Sequence, residues 1–201
     1  MTQMSALHET RLDTVLTTLK ATGARSVLDL GCGSGSLLLR LLGEPQFERI
    51  TGLEQSGASL GQARQMLAGL PGAERVRLIL GSYLEPDQTS GLTGFDIAVM
   101  LETIEHVRPG QLSLAERTVF GCYRPGQVLM TTPNREYNPL FDLAPGERRE
   151  PDHKFEWCRE RFRQWARGVA QRQGYQVAFG GIGEQHPDFG QPTQTALFER
   201  L

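Results

Sequence analysis

Lysine is nearly missing from this chain of 201 residues: of its 21 basic residues only Lys20 and Lys154 are not arginine. Arginine presents a planar, two-toothed fork that matches phosphate, although a genome rich in arginine codons leaves the same mark. Excess charge is missing too. With 21 basic residues against 23 acidic ones the net charge is −2. That excludes a protein that coats nucleic acid by bulk electrostatics and leaves room for a partner bound at a local patch. Cysteine is scarce, and Cys32, Cys122 and Cys158 form no Cys-x-x-Cys pair. Neither a disulfide framework nor a zinc site is implied, so a reducing cytoplasm is the expected home. No stretch approaches the roughly 20 apolar residues a membrane span needs, and the opening MTQMSALHETRLDTV has no apolar run that could act as a signal peptide. No membrane partner is expected. What remains, 39% hydrophobic and 22% charged residues, is the balance of a globular protein with apolar material for one core.

Hydrophobic spacing divides that material into alternating elements. Leu12, Val15, Leu16 and Leu19 recur at helical spacing over residues 8–20, and Gly23 stops the run. SVLDL (26–30), RITGLE (49–54), RVRLILG (75–81), FDIAVML (95–101) and GQVLMTTP (126–133) read as strands. SLLLRLL (36–42), SGASLGQARQMLAGL (56–70) and residues 111–121 read as the helices between them. Residues 134–157 break the rhythm with Pro139, Pro145, Gly146 and Pro151 among charges, which predicts a long loop of functional kind. An amphipathic helix over 159–173, stopped by Gly174, and two closing strands over 175–183 and 193–199 complete the pattern. Alternation of this kind predicts an α/β Rossmann-like domain with a mostly parallel seven-stranded sheet and helices on both faces. No repeat or second domain is read, so residues 1–201 are expected to form a single domain.

VLDLGCGSG (27–35) places Asp29 at the end of a strand and then a glycine turn into a helix. A dinucleotide fingerprint would need its third glycine at position 36, where Ser36 stands. The form found here, with Gly31, Cys32, Gly33 and Gly35, resembles motif I of class I methyltransferases, which implies S-adenosyl-L-methionine as cofactor. Gly31 and Gly33 let the backbone approach the amino-acid end of that molecule because no Cβ intervenes. Glu54, 21 residues beyond Gly33, ends the second strand where a carboxylate can accept bonds from both ribose hydroxyls. Gly81, Ser82 and Tyr83 follow the third strand as the adenine-contacting loop.

Ligands in such sheets sit beyond the carboxyl ends of the strands. The fourth strand ends in LETIEHV (101–107), which sends Glu102, Glu105 and His106 toward a substrate. Alone, these residues need be no more than pocket lining. A second cluster, PDHKFEW (151–157), puts His153 among aromatic residues just before a helix. Two carboxylates and two imidazoles can coordinate one divalent ion, and mixed oxygen and nitrogen donors suit Mn²⁺, Fe²⁺ or Co²⁺ better than Mg²⁺.

Glu-x-x-Glu-His, a later Asp-His-Lys-Phe-Glu-Trp, and between them TTPN followed by EYN (131–138), resemble the small-RNA 3′-terminal 2′-O-methyltransferase family, bacterial branch. The resemblance runs from about Glu9 to Gly183. It implies that Glu102, Glu105, His106 and His153 are metal ligands and catalytic residues. The metal it implies is manganese, with magnesium second, gripping both hydroxyls of the terminal ribose at an RNA 3′ end. His106 or His153 could also take the proton. It further implies a role in RNA repair beside a bacterial polynucleotide kinase-phosphatase. Arg108, Arg135, Arg148, Arg149 and Arg159 are candidate phosphate contacts, and Phe155 and Trp157 either stack on a terminal base or belong to the core. Eukaryotic members carry RNA-binding domains and many bacterial ones an additional N-terminal domain; neither is read in these residues. Two readings compete. One is a metal-independent methyltransferase of a small molecule, and the other a scaffold with a vestigial cofactor pocket.

Overall fold

Strands covered on both faces read as near-continuous apolar runs; Ser26–Leu30 and Ile97–Leu101 follow that pattern, while Val76–Leu80 is only partly covered. The computed structural model describes residues 3–89, 91–144 and 146–201; Pro145, counted above among the breakers of the long loop, lies outside them. Along the chain come α1 (Gln3–Ala21), β1 (Ser26–Leu30), α2 (Ser36–Leu42), β2 (Arg49–Glu54), α3 (Gly57–Leu67) and β3 (Val76–Leu80). A short α4 (Pro86–Thr89), β4 (Ile97–Leu101), α5 (Leu112–Glu116), β5 (Gln127–Pro133), α6 (Arg159–Gln173), β6 (Tyr175–Ile182) and β7 (Thr193–Arg200) follow. The helix expected over 111–121 is composite. A 3-10 turn at Pro109–Gln111 leads into α5, which widens into a π-helical stretch, Arg117–Tyr123.

The side-chain period of two sorts each strand between two cores. Val27, Ile97, Val99 and Leu129 point to a core shared with Leu12, Val15 and Leu19 of α1, Leu38 and Leu41 of α2 and Leu60 of α3. Their neighbours Leu28, Leu30, Ala98, Met100, Val128 and Met130 point the other way, to Val119, Phe120, Phe162, Ala166 and Val169. Helices therefore cover both faces, as expected. No helix among the described residues is long and apolar enough to cross a membrane.

The sheet corrects one expectation. Its order is β3-β2-β1-β4-β5-β7-β6. The pairs β2–β3, β1–β2, β1–β4 and β4–β5 are parallel, but β7 runs antiparallel to both β5 and β6. The sheet is mixed, not mostly parallel. The reason lies in the connections. α6 carries the chain from β5 across to an outer position, where β6 lies parallel to β5. Only residues 183–192 then join β6 to β7, too few for the crossover a parallel neighbour requires. The chain has to return antiparallel, into the slot left between them.

Phe198 of β7 is fully buried and meets Phe120 edge-on, with 4.8 Å between ring centroids. Phe198→Ala is expected to cost about 3–5 kcal/mol. Leu80→Ala, at a side chain 61% exposed, should stay within about 0.5 kcal/mol of the parent. Urea unfolding of both variants checks the pair, and equal losses would contradict this assignment of the core.

Candidate active site

The carboxyl ends of β1, β2 and β4 open onto one cavity of about 410 Å³, walled by Gly31, Glu54, Ser82, Tyr83, Glu102 and His106 among others. Its floor is the glycine turn. Gly31, Gly33 and Gly35 all adopt positive φ, at 86°, 54° and 94°, the region where L-residues are strained. Gly31 has a second reason to be glycine: a Cβ there would sit 2.6 Å from Thr103 Cγ2. The amides of Gly31 and Cys32 donate to Leu53 O at 2.8 and 3.1 Å, tying the turn to β2. The Gly33 amide donates to Glu54 Oε2 at 3.0 Å, and Glu54 Oε1 accepts from the Ser56 amide at 2.7 Å. Each Glu54 oxygen keeps a lone pair for the cavity. Cys32, expected to touch the cofactor, does not line this cavity: its amide is spent on Leu53 O and its thiol packs in the core beside Leu38.

Asp29 lies beneath the turn, 2% exposed, with Oδ2 lacking any hydrogen-bond partner. Burial, reinforced by the negative charge of Glu54, pushes its carboxyl up to about 7. A buried acceptor without a donor is what a cationic ligand such as the ammonium group of an amino acid would satisfy. Tyr83 is a buried part of the lining and donates to Thr103 O at 3.4 Å.

On the β4 side the structure joins the two segments that the sequence left 47 residues apart, from His106 to His153. The Lys154 amide donates to Glu105 O at 2.7 Å, which latches 151–157 onto the end of β4. Glu105, His106 and His153 each bring one potential ligand atom to within 4.8 Å of the others. Glu105 is fully buried; Oε2 accepts from Thr132 Oγ1 at 2.9 Å, while Oε1 has no partner. Burial, then the charge of Glu102, pushes its carboxyl well above the usual range. His106 Nδ1 lies 3.1 Å from Asp152 Oδ2. Burial pulls this imidazole below its ordinary value despite Asp152. His153 Nδ1 meets Glu156 Oε1 at 2.6 Å. Both rings thus have one nitrogen held by a carboxylate and the other free, the arrangement that orients metal-binding histidines. An orphaned carboxylate oxygen beside two such imidazoles fits a divalent cation with mixed donors.

Glu102 lines the same cavity but stands outside that three-residue group. Its backbone is left-handed at φ 51°, a conformation costing on the order of 1–3 kcal/mol. Thr131 holds it there, taking the Glu102 amide at 3.0 Å and donating to Oε1 at 2.7 Å. Oε2 pairs with Arg11 of α1 at 3.1 Å.

Sequence reasoning missed Arg11, which is 7% exposed and also donates to Thr193 Oγ1 at 2.8 Å. It missed the support beneath His153 as well. Glu156 accepts from the Arg149 amide at 2.8 Å and from Asn138 at 2.6 Å. Burial raises its carboxyl, but these bonds and His153 outweigh that and hold it below the ordinary value. Arg149 further binds Asn138 Oδ1 and Asn134 O, so this candidate phosphate contact is built into the loop. Arg159 is likewise bonded to Glu136, whereas Arg108 and Arg135 are exposed. Trp157 is 8% exposed and stacks with Phe155 and Trp165 in the core.

A family model described as a methyltransferase domain matches residues 28–129. The small RNA 2′-O-methyltransferase of Arabidopsis thaliana is 35% identical over 216 residues, covering 96% of this chain and 22% of that protein. That of Gallus gallus is 34% identical over 205 residues, with 96% and 53% covered. The chain thus spans about a fifth to a half of these curated relatives. The crystal structure of the methyltransferase domain of bacterial CtHen1 superposes with a TM-score of 0.85 at 40% identity, covering 96% of this chain and 98% of that one.

The raised Asp29 carboxyl makes a test of the cofactor floor. Its folded value near 7 lies above the ordinary 3.8, so between those limits the folded state holds the proton more tightly. Stability therefore falls as pH rises through that window. Asp29→Asn cannot ionise. Between pH 5 and pH 8 the ligand-free parent should lose roughly 2–4 kcal/mol relative to Asp29→Asn. Urea unfolding at both pH values measures this, and parallel curves would show that Asp29 is not buried against charge.

Proposed function

The chain belongs to the small RNA 2′-O-methyltransferase family, and we propose that it methylates the 2′-oxygen of the 3′-terminal ribose of an RNA. One observation carries this reading: His106, of the Glu105–His106–His153 group, lines the same cavity as Gly31, Glu54 and Ser82. Metal donors and cofactor residues therefore face each other across a single space.

Each residue has a task in that space. Gly31 and Gly33 admit the amino-acid end of S-adenosylmethionine, Asp29 accepts from its ammonium group, and Glu54 takes the ribose hydroxyls. Ser82 and Tyr83 border the adenine. Glu105, His106 and His153 hold one divalent ion, with Glu102 at the rim as a further donor. Such an ion would lower the pKa of a ribose hydroxyl and orient it for in-line attack on the sulfonium methyl. Glu156 and Asp152 keep the two imidazoles in the tautomer that presents a lone pair to the cavity. Two imidazole nitrogens among the donors favour manganese over magnesium.

Residues 1–201 act as one catalytic domain, and 134–157 are the insertion that carries the second half of the metal site. The protein works in a reducing cytoplasm, consistent with three free cysteines. Its place in RNA repair, beside a polynucleotide kinase-phosphatase, rests on the resemblance to the bacterial branch.

Labelled methyl transfer to a short RNA tests the proposal. Transfer should need Mn²⁺, vanish with a chelator, and fail on RNA ending in a 2′-deoxy or a 3′-deoxy nucleotide. Transfer that survives chelation would favour a metal-independent enzyme. His153→Ala should reduce turnover by at least about 100-fold while calorimetry finds S-adenosylmethionine binding intact. Normal turnover in that variant would remove His153 from the site.

A further inference from the structure

Outside the cavity, the outward face of α6 carries arginines at positions 159, 163 and 167, one per helical turn. They line a surface groove of about 720 Å³ together with Gln164 and Gln171. Two carboxylates, Glu136 and Glu160, also border it. Glu136 is engaged by Arg159, through the backbone amide and Nε, both at 2.8 Å. Arg163 and Arg167 are exposed, and no carboxylate among the described residues lies within ion-pair distance of either. Both guanidinium groups instead lie over the ring of Phe179 on β6, 5.9 and 5.4 Å from its centroid.

Like charges four residues apart on a helix repel. Here one aromatic ring gathers them rather than letting them separate. No carboxylate among the described residues engages either fork, which leaves their N–H groups, the ones that grip phosphate oxygens, open to a ligand. The groove also has a direction. β6 is parallel to β5, so α6 begins at the edge of the sheet where the cavity opens. Trp157, two residues before α6, bridges Asn134 at the end of β5. Eight residues of helix then lead about 12 Å away from that edge.

We propose that this groove is a second RNA site, in which Arg163 and Arg167 bind backbone phosphates of the strand whose 3′ end lies in the cavity. The proposal rests on the RNA reading above. It assigns the strand a path along α6, and it accounts for RNA binding by a chain of net charge −2, since affinity then comes from a local row and not from bulk charge. Recognition there is independent of sequence, because phosphates carry none.

Fluorescence anisotropy with single-stranded RNAs of increasing length, at several salt concentrations, tests it on the whole chain. Arg163→Gln/Arg167→Gln should weaken binding of the longer RNAs on the order of 10-fold at low salt, and the deficit should grow with RNA length. Losing two phosphate contacts should also flatten the slope of log affinity against log salt by about 1.4. Arg161→Gln removes a charge from the same helix outside the groove and should leave both quantities unchanged. The double Lys variant, which keeps charge but loses the fork, should fall between. KM for methyl transfer to the longer RNAs should rise in parallel. Unchanged affinity and slope in a double Gln variant, while the parent still methylates RNA, would overturn the groove alone. Absence of transfer to any RNA by the parent would instead strike the functional reading, which the binding data do not depend on.

Discussion

Glu105 is a carboxylate with no access to water, one oxygen tied to Thr132 and the other left without a partner. Burying such a group ionised is prohibitive unless a cation meets it, and burying it neutral sacrifices its purpose. Much of the surrounding structure manages that tension. β4 and β5 end side by side so that Thr131 and Thr132 serve Glu102 and Glu105 in turn. The Lys154 amide fastens the long loop to the Glu105 carbonyl, which sets His153 opposite. Glu156, Asn138 and Arg149 then fix His153 from behind, and Arg11 answers the second charge, on Glu102. Burial lowers the guanidinium of Arg149 to about 10 despite Glu102 and Glu156 nearby, another sign of how dry this edge is. An unpartnered carboxylate oxygen in so dry a place is what a cation would satisfy, which supports the metal site proposed above.

Much of the fold was legible because its cause is local. Apolar and β-branched runs set between glycine and proline breaks marked β1, β2, β3, β4 and β5 to within two residues of their ends. α6 did so through Phe162, Ala166 and Val169 on one face and Gly174 at its stop. The direction of β7 was not legible, since neighbour order in a sheet depends on which slot remains open, and no residue type marks that. The π-helical stretch was hidden for a similar reason. Val119, Phe120 and Tyr123 suit an ordinary helix equally well, and the wider turn is settled by packing.

The site divides along the same line. Gly31, Gly33 and Glu54 were visible because turn geometry and strand ends constrain residue type. Glu105, His106 and His153 stood out by their chemistry, but that the Lys154 latch and the bonds behind His153 set it beside the other two was not legible. Nor were the supporting groups. Arg11 sits in a helix more than 90 residues from Glu102, and Asn138 and Glu156 look like ordinary loop polar residues until hydrogen bonds connect them. Trp157 and Phe155, open to two readings in the sequence, are packed against Phe162 and Trp165. Arg149 shows how composition misleads: a phosphate-binding residue by type, it is a structural tie by position.

The function proposed above puts one cation on Glu105, His106 and His153. Electron paramagnetic resonance during Mn²⁺ titration tests it most directly, because free and bound Mn²⁺ are counted separately and imidazole nitrogens leave their hyperfine signature. The account predicts one bound ion per chain with nitrogen coupling, lost at the same concentrations in Glu105→Gln. Bound manganese without nitrogen coupling, or unchanged binding in Glu105→Gln, would contradict it.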